Sequence, residues 1–162
     1  MLDPNFAAIA NPNSPGWTYN ASDPNIEYST VISPDNSTIA QFRSAAASSS
    51  TAMYQPLTLC PGTQYRLSAQ SRQANVLADC SVEYLLVSIG DDGQEVQDSL
   101  LKVDPQTDWL SKDASFVAQR AEGALWVQAL CKGWYGAPSG SDDDGWMKVE
   151  ARGISVVRED LK

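Results

Sequence analysis

Leu57-Thr58-Leu59-Cys60-Pro61-Gly62-Thr63-Gln64-Tyr65-Arg66-Leu67-Ser68-Ala69-Gln70-Ser71-Arg72-Gln73 is the stretch on which the fold reading turns. From residue 64 onward it alternates. Tyr65, Leu67 and Ala69 fall on one side, and Arg66, Ser68, Gln70 and Arg72 on the other. A period of two with one apolar side is the pattern of a half-buried β-strand. Pro61-Gly62 just before it is a strong turn signal, so a second strand is expected to lead into that turn.

The same grammar extends in both directions. Strands are expected over 27–32, 38–44, 53–60, 64–73, 80–89, 95–103, 115–119, 124–131 and 146–157. Ser33-Pro34-Asp35-Asn36 and Asp91-Asp92-Gly93 read as hairpin turns between neighbouring members of that series. Residues 45–50 are small and Ser-rich and read as a loop, as do residues 132–145. Gly153 interrupts the closing strand and marks a candidate bulge. Residues 1–25 contain Pro4, Pro12, Pro15 and Pro24 and read as irregular, pinned to the core by Phe6, Ile9 and Trp17. The expectation is a single all-β domain over 1–162, with about nine or ten short antiparallel strands in a jelly-roll sandwich.

Composition narrows the function classes. At 43% hydrophobic the chain has enough apolar residues for a core. A net charge of −9 disfavours phosphate backbones and anionic lipid surfaces, so nucleic acid is not an expected partner. No run reaches the roughly 20 apolar residues of a membrane helix, and membrane insertion is not expected. Residues 1–10 carry no basic region and no long apolar run, so they do not read as a signal peptide. Histidine is absent, which removes the usual general base and the usual zinc ligand. Three cysteines, at positions 60, 80 and 131, show no CxxC spacing. Asn20-Ala21-Ser22 and Asn36-Ser37-Thr38 have the form of glycosylation acceptors.

In segment order the chain resembles the carbohydrate-binding modules of the CenC type, their fungal members especially. The residues that carry the resemblance are Leu2-Asp3-Pro4-Asn5-Phe6 with Pro15-Gly16-Trp17, the stretch 55–68, Cys80-Ser81-Val82, residues 125–131, and Ile154-Ser155-Val156. It implies a galactose-binding-like jelly roll and a core role for Trp17. It also implies a disulfide between Cys80 and Cys131, with Cys60 left free and buried beside its turn, though cysteine spacing alone leaves the pairing open. An oxidising, secreted or cell-surface location follows from such a bridge. Family members hold a structural calcium near the two ends of the domain. Here Ala7 stands in place of a carboxylate, and Arg152-Gly153 replace the closing acidic pair. No calcium is therefore expected at that site, and no other cofactor. The run Asp142-Asp143-Asp144 is the remaining weak candidate for a metal, against the ordinary reading of a solvated loop.

Sugar recognition needs an aromatic ring to meet the sugar's C–H face and polar groups to bond its hydroxyls. Trp126 shares a strand face with Gln128, and Gln128 is expected to stand with Arg66 and Gln70 on one sheet. Trp134, Tyr135 and Trp146 flank the long acidic loop. These seven residues form the candidate ligand set. Trp109 reads equally as core or surface. Glu83, Glu95, Glu122 and Glu150 are available for acid–base work, but no local motif joins two of them, so no enzyme is expected. The expected function is recognition of a neutral glycan by a module, potentially one part of a longer multidomain protein. The alternative is a secreted or cell-surface interaction domain on the same fold.

Overall fold

The computed structural model describes residues 17–20, 26–32, 34, 38–44, 49–75, 78–133 and 146–159. Among the described residues ten strands form, β1 (Thr18–Asn20), β2 (Ile26–Ile32), β3 (Thr38–Ser44), β4 (Ser49–Thr58), β5 (Gln64–Gln73), β6 (Asp79–Ile89), β7 (Glu95–Val103), β8 (Leu110–Val117), β9 (Glu122–Lys132) and β10 (Met147–Arg158). No α-helix occurs among the described residues. The strands build two five-stranded sheets, in the orders β1-β4-β9-β6-β7 and β2-β3-β10-β5-β8. Every pairing is antiparallel. We call them the first and second sheet. The all-β sandwich expected from the sequence is what forms.

Alternation decides the core. In β5 the residues 65, 67, 69, 71 and 73 are buried, and those between them are not. Leu67, Met53, Val82, Leu125, Val127, Met147 and Ile154 meet between the sheets and are fully enclosed. Trp17 joins them at 2% exposure, as its expected core role requires. Tyr84 of β6 and Ser71 of β5 meet hydroxyl to hydroxyl at 2.7 Å inside this core, linking the two sheets. Burial pushes the Tyr84 phenol pKa well up, while the Ser71 hydrogen bond pulls it part of the way back.

Cys80 faces Cys131 in the β6–β9 ladder, and the two are disulfide-bonded across 51 residues of chain. The third cysteine departs from expectation. Cys60 is exposed, because Leu59 takes the inward position and Cys60 turns outward where the chain reverses at Gly62, φ 76°. Its amide donates to the Tyr65 hydroxyl at 2.9 Å, which fixes the turn against β5.

Some strand limits differ from those read from the sequence. Thr18–Asn20 lies within the segment expected to be irregular, yet pairs with β4. β4 reaches back to Ser49, into the small-residue run. It also contains Pro56, which is tolerated because β1 pairs only with residues 52–54 and Pro56 lies beyond it. β8 starts at Leu110 rather than 115 and stops at Val117. It is an edge strand with polar residues on both sides, so its alternation is blurred. The expected bulge is present: the β10–β5 register slips between Arg152 and Ser155, with Gly153 at φ 59°.

Candidate functional site

The outward side of β5 carries Arg66, Ser68, Gln70 and Arg72 in a row. Register places Ser111, Asp113 and Ser115 of β8 beside it on one flank. Glu150 and Arg152 of β10 stand on the other, and Gln41 and Arg43 of β3 lie beyond them. This is the outer face of the second sheet. The Gly153 bulge carries the backbone away from β5, and a cleft of about 540 Å³ opens there. Ser68, Gln70, Ser111, Asp113, Arg152 and Gly153 line it.

The polar groups of this face are held by one another. Arg152 Nε donates to Gln70 Oε1 at 2.7 Å, and Gln70 Nε2 donates to Ser111 Oγ at 2.9 Å. Arg72 Nε donates to Glu150 Oε2 at 2.6 Å, and Gln41 Nε2 to Glu150 Oε1 at 2.6 Å. Glu150 is only 3% exposed although it points away from the core, because these neighbours close over it. Arg66 Nε donates to Glu159 Oε1 at 3.0 Å. Burial pushes the Glu159 carboxyl up, but hydrogen bonds from Ser115, Arg66 and Gln64 and the Arg66 charge outweigh it. The pKa is left below the ordinary value of 4.5.

Two tryptophans belong to the same face. Trp109 precedes β8, half-buried, with the guanidiniums of Arg152 and Arg72 at 4.2 and 4.8 Å from its ring centre. Trp146 precedes β10, with the Arg43 guanidinium at 4.9 Å. Trp146 and Arg152 are six positions apart along extended chain, roughly 20 Å. The side chains therefore make a fixed row of hydroxyl, amide and guanidinium groups with an indole beside it. Such a set can bond hydroxyls and cover an apolar ring face. Asp113 is the only acid among the described residues that line the cleft. Glu83, Glu95 and Glu122 lie on the first sheet. Glu150 is thus on a different sheet from the other three glutamates considered in the sequence.

The expected ligand set is divided by the fold. Arg66 and Gln70 share the face just described, and Trp146 lies at its far end. Trp126 and Gln128 do not: they sit on β9, on the outer face of the first sheet, so Gln128 cannot join Arg66 and Gln70. Alternation tells inward from outward but not which sheet a strand enters. Trp126 stacks on Tyr54, its partner across the β4–β9 ladder, at 4.8 Å between ring centres and 16° between planes. Its other cross-strand neighbour is Leu85. Trp134, Tyr135, Asn36 and the run Asp142-Asp143-Asp144 lie outside the described residues, and Asn20 falls in β1. Sequence reasoning passed over Trp109, Arg72 and Ser111 as ligand groups. Arg72 was legible as the next member of the outward row. Trp109 was not, since its place depends on the β5–β8 register.

No protein-family model matches the sequence, and no curated protein is similar to it in sequence. Solved structures share its fold. The CBM22-1 xylan-binding domain of Xyn10C from Paenibacillus barcinonensis superposes with a TM-score of 0.63 at 9% identity, over 88% of this chain and 85% of that one. The module TmCBM61, solved in complex with β-1,4-galactotriose, gives 0.61 at 13% identity, over 98% and 97%. The enzymatically active domain of tailspike protein 4 of bacteriophage CBA120 gives 0.64 at 11% identity, but only 20% of that chain is covered. At these identities the likeness concerns the fold. That fold, in these neighbours, is mostly that of carbohydrate-binding modules.

Proposed function

We propose that this chain is a non-catalytic carbohydrate-binding module, of the CenC-type kind its sequence resembles, that recognises a neutral glycan on the outer face of the second sheet. The carrying observation is the cleft at the Gly153 bulge, where Gln70, Ser111 and Arg152 are hydrogen-bonded in series beside the Trp109 ring. Donors already held in place lose little entropy when a ligand arrives. Ser68, Gln70, Ser111 and Arg152 would bond hydroxyls, and Trp109 would cover the apolar side of a sugar ring. Arg66 and Trp146 would extend the contact along the sheet, and Trp134 and Tyr135 are further candidate rings from the sequence.

Charge supports a neutral ligand. Arg66, Arg72 and Arg43 on this face each pair with a glutamate, at 3.0, 2.6 and 2.6 Å, so these three charges are balanced within the face, and Asp113 stands with Lys112 and Arg152 in the cleft. The disulfide suits a secreted or cell-surface location.

The test is a screen of the chain against neutral and acidic polysaccharides, xylan and galactan included, with and without calcium, followed by fluorescence titration. The expected result is calcium-independent binding of a neutral glycan that Trp109→Ala and Gln70→Ala weaken and Trp126→Ala does not. A blank on every glycan, in a chain that unfolds cooperatively, would sink the proposal.

A further inference from the structure

The outer face of the first sheet has a different character. Tyr54, Trp126 and Leu85 form one row across β4, β9 and β6, and Pro56, Ala124 and Val87 form the next. Leu85 and Val87 point away from the core but are only 8% exposed, so the accessible part of this face is carried by Tyr54, Trp126 and Pro56. Ile89 continues the patch at 62% exposure. The centre of the face is thus apolar, aromatic and ordered in advance, on the interior strands of its sheet. An apolar patch of this kind within a polar rim is the composition of a protein interface.

The rim is mostly acidic: Glu83, Glu95, Glu122, Asp91 and Asp92 outnumber its cations, Lys102 opposite Glu83 and Arg120 in the same cleft as Glu122. On the second sheet Glu27, Glu150 and Glu159 are ion-paired with arginines. Here Glu83 accepts from Ser99 Oγ at 2.6 Å, Glu122 from Thr58 Oγ1 at 3.4 Å, and Glu95 from Gln97. All three donors are uncharged. Asp91 and Asp92 add to the same end at the β6–β7 turn.

We infer that this face docks a protein partner whose surface has an apolar centre and a basic rim. A second copy of the chain fits poorly. A two-fold contact sets each patch against itself and brings these acids together, in a chain of net charge −9. A sugar fits poorly as well, because the Tyr54 and Trp126 faces are turned to each other and the rest of the patch is aliphatic. The inference does not depend on the glycan proposal, since the two faces belong to different sheets.

The probe is an alternating Lys–Leu peptide, with polylysine of equal length and an alternating Glu–Leu peptide as comparators. Binding is followed by amide chemical shifts of the labelled chain. The expected result is shifts centred on Tyr54, Leu85, Val87 and Trp126, falling with salt. Affinity should drop about tenfold in Ala124→Lys, the cost of a charge set into an interface centre. Ala124 points outward, so this variant leaves the core intact, and its unchanged thermal midpoint is the folding control. Equal binding of polylysine, shifts on the second sheet, or indifference to Ala124→Lys would overturn the inference. So would self-association lost in that variant, or a glycan that shifts this face.

Discussion

Glu150 ties the glycan proposal to something measurable without a glycan. Its carboxylate is 3% exposed and takes two hydrogen bonds of 2.6 Å, from Arg72 Nε and Gln41 Nε2. In Glu150→Gln the side chain keeps its shape but offers one oxygen and one NH2 group. One of the two donors loses its acceptor unless the Gln41 amide turns over to accept from the new NH2. A hydrogen bond to a charged group contributes about 1.5–3 kcal/mol. Two effects reduce the loss: the amide no longer bears the desolvation cost of a buried carboxylate, and Arg72, 33% exposed, can turn to water. The net expectation is a destabilisation of about 1–2 kcal/mol, rising to about 3 kcal/mol in Glu150→Ala, which strands both donors. Urea unfolding followed by tryptophan emission should show a lower midpoint at an unchanged slope. Arg72 is also one of the two guanidiniums on Trp109. The Glu150→Gln emission spectrum should therefore shift, and the shift should vanish in the Trp109→Phe background. Both variants within about 0.5 kcal/mol of the parent, with unaltered Trp109 emission, would refute the idea of a pre-set row of donors.

Three further outcomes follow from the same structure. Replacing Cys80 and Cys131 by serine frees a loop spanning 51 residues, and the chain-entropy relation gives a loss of about 4 kcal/mol, read as a lower urea midpoint that reducing agent no longer changes. The Glu159 carboxyl has its pKa lowered in the folded chain, so its contribution is complete above the ordinary 4.5 and disappears as pH falls through the folded value; Arg66→Gln should flatten the fall in stability between pH 7 and pH 3, measured by urea midpoints at each pH. At Gly153, φ is 59° and an added Cβ would meet nothing within 4 Å, so Gly153→Val should cost about 1–2 kcal/mol of backbone strain in thermal unfolding, and Gly153→Asn clearly less.

The sheet-forming residues were legible where one side of a strand is apolar and the other wet. β5 has this pattern without a break, and its limits, inward set and outward set were all readable. β8 was misplaced because Lys112 and Asp113 break its period and an edge strand has little to bury. Gly153 could be read as a bulge, but not the cleft it opens, since that depends on which strands flank it. The same ignorance of sheet assignment set Gln128 beside Arg66. The ion pairs were unreadable for a further reason: Arg72 and Glu150 are 78 residues apart, and no local pattern announces such a meeting. Cys60 was misjudged because a free thiol is usually buried, while here alternation gave the inward place to Leu59.

The position of β10 has consequences for how the molecule comes into being. Of the described strands it is the latest in the chain, yet it lies at the middle of its sheet, between β3 and β5. Until it is in place, β3 and β5 present bare edges, and Arg72 and Gln41 have no carboxylate to share. Pairings at such separation are slow to form, because chain closure must precede the contacts that reward it. A nascent or clipped chain lacking β10 would be a sticky pair of half-sheets, open to edge-to-edge association. The row of donors on this face is therefore present only in the finished domain, and ligand binding would report complete folding.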